Sequence, residues 1–225
     1  MAFTLNFAVF HGKGLTMKLL IIGATRGIGF QLLEQALQVG HAVTALMRYP
    51  QKMPKQHDGL RVIQGDILDP ESVQSAMAEQ EAVCVTIGIG ITWKPVTVFS
   101  QGTRNVLEAM RRQGVRRLIC ITGIGAGDSR GHGGFLYDRL FNPLLLKTIY
   151  ADKDRQEALI RASETEWTIV RPGFLTNGPL TKKYQVITDL TGVTSGKISR
   201  ADVAHFILEE LAANRYLGET PLLTY

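Results

Sequence analysis

Cysteine is nearly absent from this 225-residue chain. Its 2 copies, Cys84 and Cys120, each sit inside an apolar run, so free buried thiols are expected, not a disulfide, metal ligand or nucleophile. No spacing of His, Cys and carboxylates suits a metal ion. No apolar run approaches the ~20 residues that a bilayer-spanning helix needs. Met1–Thr16 lacks a basic leader and has only a short apolar patch, Leu5–Phe10. It reads as a loose lead-in to an ordered domain over 17–225, and a cytoplasmic protein is expected. Internal repeats, linkers and low-complexity tracts are missing too, which leaves one domain. Aromatic residues make up only 8% of the chain and are not interleaved with the basic cluster Arg111, Arg112, Arg116 and Arg117. That cluster is read as a helix end favoured by its dipole, and no nucleic-acid or membrane partner is expected. The net charge of +5 suits a ligand carrying phosphates.

What is present begins with Gly23-Ala24-Thr25-Arg26-Gly27-Ile28-Gly29. An apolar run over 17–22 reads as a buried strand before it. Ile28, Leu32, Leu33, Ala36 and Leu37 give helical periodicity after it, ending at Gly40. Strand, glycine turn and helix form the first unit of a dinucleotide-binding fold, with the diphosphate on the amides at the helix start. A second strand runs to Met47 and ends in Arg48, where NAD-binding versions carry a carboxylate. A guanidinium there, helped by Arg26, would accept a 2′-phosphate, so NADP(H) is favoured and NAD(H) is the second choice; a solvated loop arginine is the plainer reading.

Further strands are expected over 60–65, 82–87, 117–122 and 166–170, with a last one at the sheet edge over 221–225. Helices are expected after Asp69, over 95–113 and 150–163, and from Ser199 to about Ala213. Gly88 follows the fourth strand, where a small residue leaves room for a ligand. The glycine-rich stretch 123–134 reads as a lid or a substrate mouth, and the structure of 135–149, interrupted by Pro143, stays open. The alternation describes an α/β protein: one doubly wound Rossmann-type domain, a mostly parallel sheet with helices on both faces.

The glycine turn, Gly65-Asp66-Ile67, Gly102-Thr103-Arg104-Asn105-Val106, Trp167-Thr168-Ile169-Val170-Arg171-Pro172-Gly173 and Ser199-Arg200-Ala201-Asp202-Val203-Ala204 together carry a resemblance. Over 17–225 the chain resembles the atypical short-chain dehydrogenase/reductase superfamily, more narrowly the small NAD(P)H-binding proteins of the NmrA-like and biliverdin reductase B (flavin reductase) type. The resemblance implies that Asp66 and Ile67 border the adenine and that Gly88 lies along the cofactor. It also implies that Pro172, Gly173 and Phe174 face the nicotinamide. Thr122 stands where the superfamily has its active-site serine, and Lys153 where it has its lysine, a ribose contact. The tyrosine expected four residues before that lysine is missing: Ile149 is there, and Tyr150 comes one position late. One residue of slip turns a helical side chain by about 100°, so Tyr150 reaches the usual place only if the helix start is distorted. Thr122, Lys153 and Tyr150 are the candidate catalytic residues, beside plainer roles as a strand end, a solvated lysine and a packing tyrosine. His132 and Tyr137 could lend a proton but read as solvated loop residues.

The functional expectation is an NADPH-dependent oxidoreductase acting on a small conjugated acceptor such as a flavin or quinone, as a monomer or small homo-oligomer. The alternative is a non-catalytic NADP(H) sensor or scaffold of the NmrA type. A nucleotide-sugar epimerase is disfavoured by the short stretch after Phe174.

Overall fold

The computed structural model describes residues 16–53, 56–134, 139 and 145–225. The expectations for Met1–Thr16 (save its last residue), for Tyr137 and for most of 135–149 therefore lie outside the described residues. Strands β1 (Lys18–Ile22), β2 (Ala42–Met47), β3 (Leu60–Gln64), β4 (Ala82–Val85), β5 (Arg117–Ile121) and β6 (Glu166–Pro172) alternate with helices α1 (Gly27–Gln38), α2 (Pro70–Met77), α3 (Val98–Gln113) and α4 (Lys147–Arg161). After β6 come β7 (Phe174–Thr176), β8 (Gln185–Ile187), β9 (Lys197–Ser199), α5 (Arg200–Ala213) and β10 (Leu222–Thr224). The main sheet runs β3-β2-β1-β4-β5-β6-β10-β8. It is parallel except for β8, which pairs antiparallel with β10. β7 and β9 form a separate two-stranded parallel ribbon.

The doubly wound α/β architecture is the expected one. Alternation within the strands explains its two layers: Leu19 and Ile21 face α1 and α5, while Leu20 and Ile22 face α2, α3 and α4. The same alternation separates the cysteines. Cys84 lies in the first layer and Cys120 in the second, although their strands are neighbours. Both are free, and burial pushes each thiol up to about 12.

The helix ends follow local chemistry where the caps are local. Asp69 accepts from the backbone N–H of Glu71 and Ser72 at the start of α2. Ser199 does the same for Asp202 at the start of α5. Gly114, at φ 71°, closes α3.

Four expectations are corrected. Strand β10 is not at the edge, because the unforeseen β8 pairs along its outer side. β7 and β9 are too short, at 3 residues each, to leave a periodic signal. Helix α3 begins at Val98, three residues later than read, and α4 at Lys147, three earlier. Arg117 is not a surface cation. It is buried on β5, where its guanidinium meets Glu210 at 2.8 Å and Thr168 Oγ1 at 3.0 Å. Arg111 and Arg112, in contrast, are exposed in the last turn of α3 and pair with Glu108.

Candidate active site

The chain order reverses between β1 and β4, so the crossovers diverge there and leave a crevice at the carboxyl ends of the strands. A cleft of about 1130 Å³ occupies that position. Gly23, Thr25, Arg26, Gly27, Ile28, Arg48, Asp66, Ile67, Gly88, Thr122, Tyr150, Lys153, Pro172, Gly173 and Phe174 all line it.

Gly29 is not a lining residue. A Cβ there would lie 2.2 Å from the Gly23 carbonyl oxygen and 2.3 Å from Thr86 Oγ1. Its bareness lets α1 close onto β1 and β4. Gly23 takes φ +102°, and a Cβ on it would strike the backbone of Thr86 and Ile87 at 2.9 Å. The start of α1 is uncapped: Arg26 occupies the cap position in extended conformation with no side-chain bond, and the first turn has no acidic residue. Backbone N–H groups thus converge on open space beside a glycine turn, the donor set that a diphosphate needs.

At one end of the cleft, Asp66, Ile67 and Leu68 form a shelf. Asp66 Oδ1 accepts from Leu68 N at 3.0 Å, and the Asn105 side-chain amide donates to the Ile67 carbonyl at 2.9 Å. Ile67 lies against the bare backbone of Gly102, where a Cβ would meet it at 2.8 Å. The Gly102–Val106 motif therefore serves the shelf from behind. Across from it stand Arg48, Tyr49 and Lys52; the Arg48 guanidinium is 5.8 Å and the Lys52 ammonium 4.8 Å from the Tyr49 ring centre. Tyr49 and Lys52 were not anticipated.

At the other end, α4 supplies Tyr150 and Lys153 to the end of β5. Lys153 is buried, 5.0 Å from the Phe99 ring centre, and its ammonium donates to the Thr122 carbonyl. Burial pulls its pKa down to about 8. The Thr122 hydroxyl donates to Glu157 Oε1 at 2.7 Å. Glu157 in turn receives two bonds from the fully buried Arg171 guanidinium, at 3.1 and 2.6 Å, and Arg171 also meets Asp128. The single proton of Thr122 is thus committed to the protein in this arrangement.

Tyr150 follows the helical slip only in part. Ile149, in the tyrosine's usual place, is buried against Val96 and Phe99. The start of the helix is distorted, with residues 145 and 146 in a wider turn ahead of α4. The Tyr150 hydroxyl reaches the cleft over Gly123, 3.2 Å from where a Cβ would stand. His132 does not line the cleft; its ring Nδ1 and carbonyl oxygen hold Val193 and Ser195 at 2.8 and 2.7 Å. Between the two ends, Asn177 and Arg200 line the cleft, again unanticipated.

The NAD(P)H-binding family model matches residues 23–214. The chain belongs to this family. An uncharacterised chloroplastic protein of Arabidopsis thaliana is 30% identical over 87% of this chain and 72% of its own length. A Bacillus subtilis protein named an uncharacterised sugar epimerase is 28% identical over 92% of this chain and 97% of its own. Among solved structures, ChuY, described as an anaerobilin reductase of Escherichia coli O157:H7, is 26% identical with a TM-score of 0.78, covering 92% of this chain and 96% of that one. A Veillonella parvula short-chain dehydrogenase/reductase in complex with NADP shares the fold at TM-score 0.80 and 19% identity, over 94% of this chain and 95% of that one. The motif resemblance to the atypical short-chain dehydrogenase/reductase type is borne out. Among the described residues, no helix is long and apolar enough to cross a membrane.

The family's nucleotide fits the residues present. The α1 amides and glycine turn would hold the diphosphate, the Asp66–Leu68 shelf the adenine, and the Lys153 end the second ribose.

Proposed function

We propose that the protein is an NADPH-dependent reductase that delivers hydride to a small conjugated acceptor, such as a flavin or quinone. The observation carrying this reading is the asymmetry of the cleft. Arg48 and Lys52 stand at the adenosine end with no ion-pairing carboxylate among the described residues, while Ile89, Ile124, Phe174 and Leu175 surround the opposite mouth. Cations at the end of β2 suit a 2′-phosphate, and an apolar mouth suits a flat acceptor.

When bound, the dihydronicotinamide supplies the hydride. The chain's part is to bind and orient. Lys153, poised at the Thr122 carbonyl, would turn to the ribose hydroxyls, and the backbone of Pro172–Phe174 would wall one face of the ring. Thr122, with its hydroxyl turned to Glu157, would shape the floor more than donate a proton. Tyr150 is the one hydroxyl offered to the cleft from α4, and it lacks the usual spacing to Lys153. An acceptor that takes its proton from water after reduction fits this site better than a simple ketone, whose developing alkoxide needs a local donor. ChuY, named a reductase, is a relative consistent with this assignment.

The test is spectroscopic. Purified protein mixed with NADPH and then FMN or a quinone is expected to speed the loss of reduced-nicotinamide absorbance over a protein-free control. Tight NADPH binding without acceleration for any acceptor would reject the reductase reading. The sensor reading would replace it, favoured then by the committed Thr122 proton and the displaced tyrosine.

A further inference from the structure

Helix α5, packed beside α1, brings a cation to the glycine turn. Its first residue, Arg200, runs over Gly27, and a Cβ on Gly27 would lie 3.7 Å from Arg200 Nε and 3.8 Å from its Cδ. The base of that side chain is held firmly. Ser199 Oγ accepts from Asp202 N at 3.0 Å and caps the helix, and α5 packs along α1. Asp202, the acidic residue of the first turn, faces inward and is filled by Thr181, Lys182 and Tyr225. Among the described residues, neither it nor any other carboxylate forms an ion pair with Arg200.

The guanidinium has a single described partner, Asn177 Oδ1, which accepts from Nη1 at 2.8 Å. A carbonyl oxygen orients the group and neutralises nothing. Arg200 lines the cleft, as does Arg26 in the glycine turn. Two arginines and the uncapped start of α1 thus border the same cleft, and a planar fork matches the oxygens of a phosphate.

We propose that Arg200 is a further arm of the diphosphate site, binding the phosphate oxygens beside the α1 amides while Asn177 holds its plane. A diphosphate is common to NADPH and NADH, so this assignment is independent of the preference proposed for Arg48. It rests only on nucleotide binding.

Calorimetric titration with NADPH, NADH and adenosine 2′-monophosphate, on the wild type, Arg200→Ala and Arg200→Lys, tests it. Arg200→Ala is expected to weaken NADPH and NADH by the same factor, roughly tenfold or more for a lost charge-assisted bond. Adenosine 2′-monophosphate, which has no diphosphate, should bind unchanged, and Arg200→Lys should recover part of the loss. Unchanged dinucleotide affinity overturns the proposal. So does a loss shared by adenosine 2′-monophosphate, which would mean a damaged fold, or a loss confined to NADPH, which would place Arg200 at the 2′-phosphate. A wild type indifferent to both dinucleotides would sink the cofactor reading itself.

Discussion

Among the described residues, Lys153 is a cation without an ion-paired carboxylate, held by a carbonyl and an aromatic face. Keeping it there costs stability whenever it is charged. Its folded pKa, about 8, lies below the ordinary 10.5, because burial disfavours the ammonium. Between those two values the unfolded chain holds the proton that the folded chain has released. Stability therefore rises with pH across that window, and the penalty is complete below it, at about 3 kcal/mol. Lys153→Met keeps the stem and removes the charge. Thermal melts across this range should show the variant gaining most on the wild type below pH 8, with the gap narrowing by about 3 kcal/mol towards pH 10.5. A gap independent of pH would show that the amine is buried without strain on its charge. The same residue should matter for binding in the opposite sense, since the variant loses the donor assigned to the ribose. At this scale the sequence signalled the position of Lys153 and not its environment: Phe99 is far away in the chain.

Helix α4 is the element that ties the site together, because four residues on one face of it reach α3, the end of β5 and β6. Asp152, fully buried, accepts from Phe99 N at 2.9 Å, Ser100 N at 3.3 Å and the Ser100 hydroxyl at 2.5 Å. It caps α3 from outside, where the local residue Thr97 makes no side-chain cap. Gln156 donates to Thr103 at 3.0 Å, Glu157 holds Thr122 and Arg171, and Lys153 reaches the cleft. Residues 152, 153, 156 and 157 follow helical spacing, so a single stripe meets both α3 and the end of β5. Asp152→Ala removes a cap and leaves two N–H groups and a hydroxyl buried without it. Urea unfolding should show a loss of about 2–4 kcal/mol, more than the roughly 1 kcal/mol of an exposed cap. A loss below roughly 0.5 kcal/mol, the range of ordinary surface substitutions, would mean that α3 holds its start unaided. The spacing Asp152-Lys153 to Gln156-Glu157 is visible in the sequence. Their partners are not, because a cap supplied from 50 or so residues away leaves no local mark.

For the whole molecule, the cleft joins both halves of the sheet: the turn after β1, the ends of β2, β4, β5 and β6, and the start of α5 all border it. A nucleotide bound there touches elements from most of the chain, so its binding free energy should act on global unfolding. At about one hundred times Kd the gain is about 2.7 kcal/mol. For a domain of this size that amounts to a melting shift of about 5–10 °C. NADPH is expected to raise the melting temperature more than NADH at equal concentration, and Arg48→Ala should abolish the difference while leaving the NADH shift intact. Equal shifts for the two nucleotides in the wild type would withdraw the phosphate role of Arg48.

The local grammar of the chain determined a great deal. Glycines at 23, 27 and 29 dictate a turn between strand and helix, period-two and helical spacing dictate two layers, and Asp69 and Ser199 dictate where two helices begin. Each of these depends on atoms within a few residues of one another, where sequence and geometry coincide. Tertiary structure alone decided that β10 lies inside the sheet, that Arg117 and Arg171 are buried with Glu210 and Glu157, that the Thr122 proton is already taken, and that Arg200 stands over Gly27. Those outcomes hinge on side chains meeting across long stretches of chain, and a charge in a sequence carries no record of which partner, or which solvent, it will face.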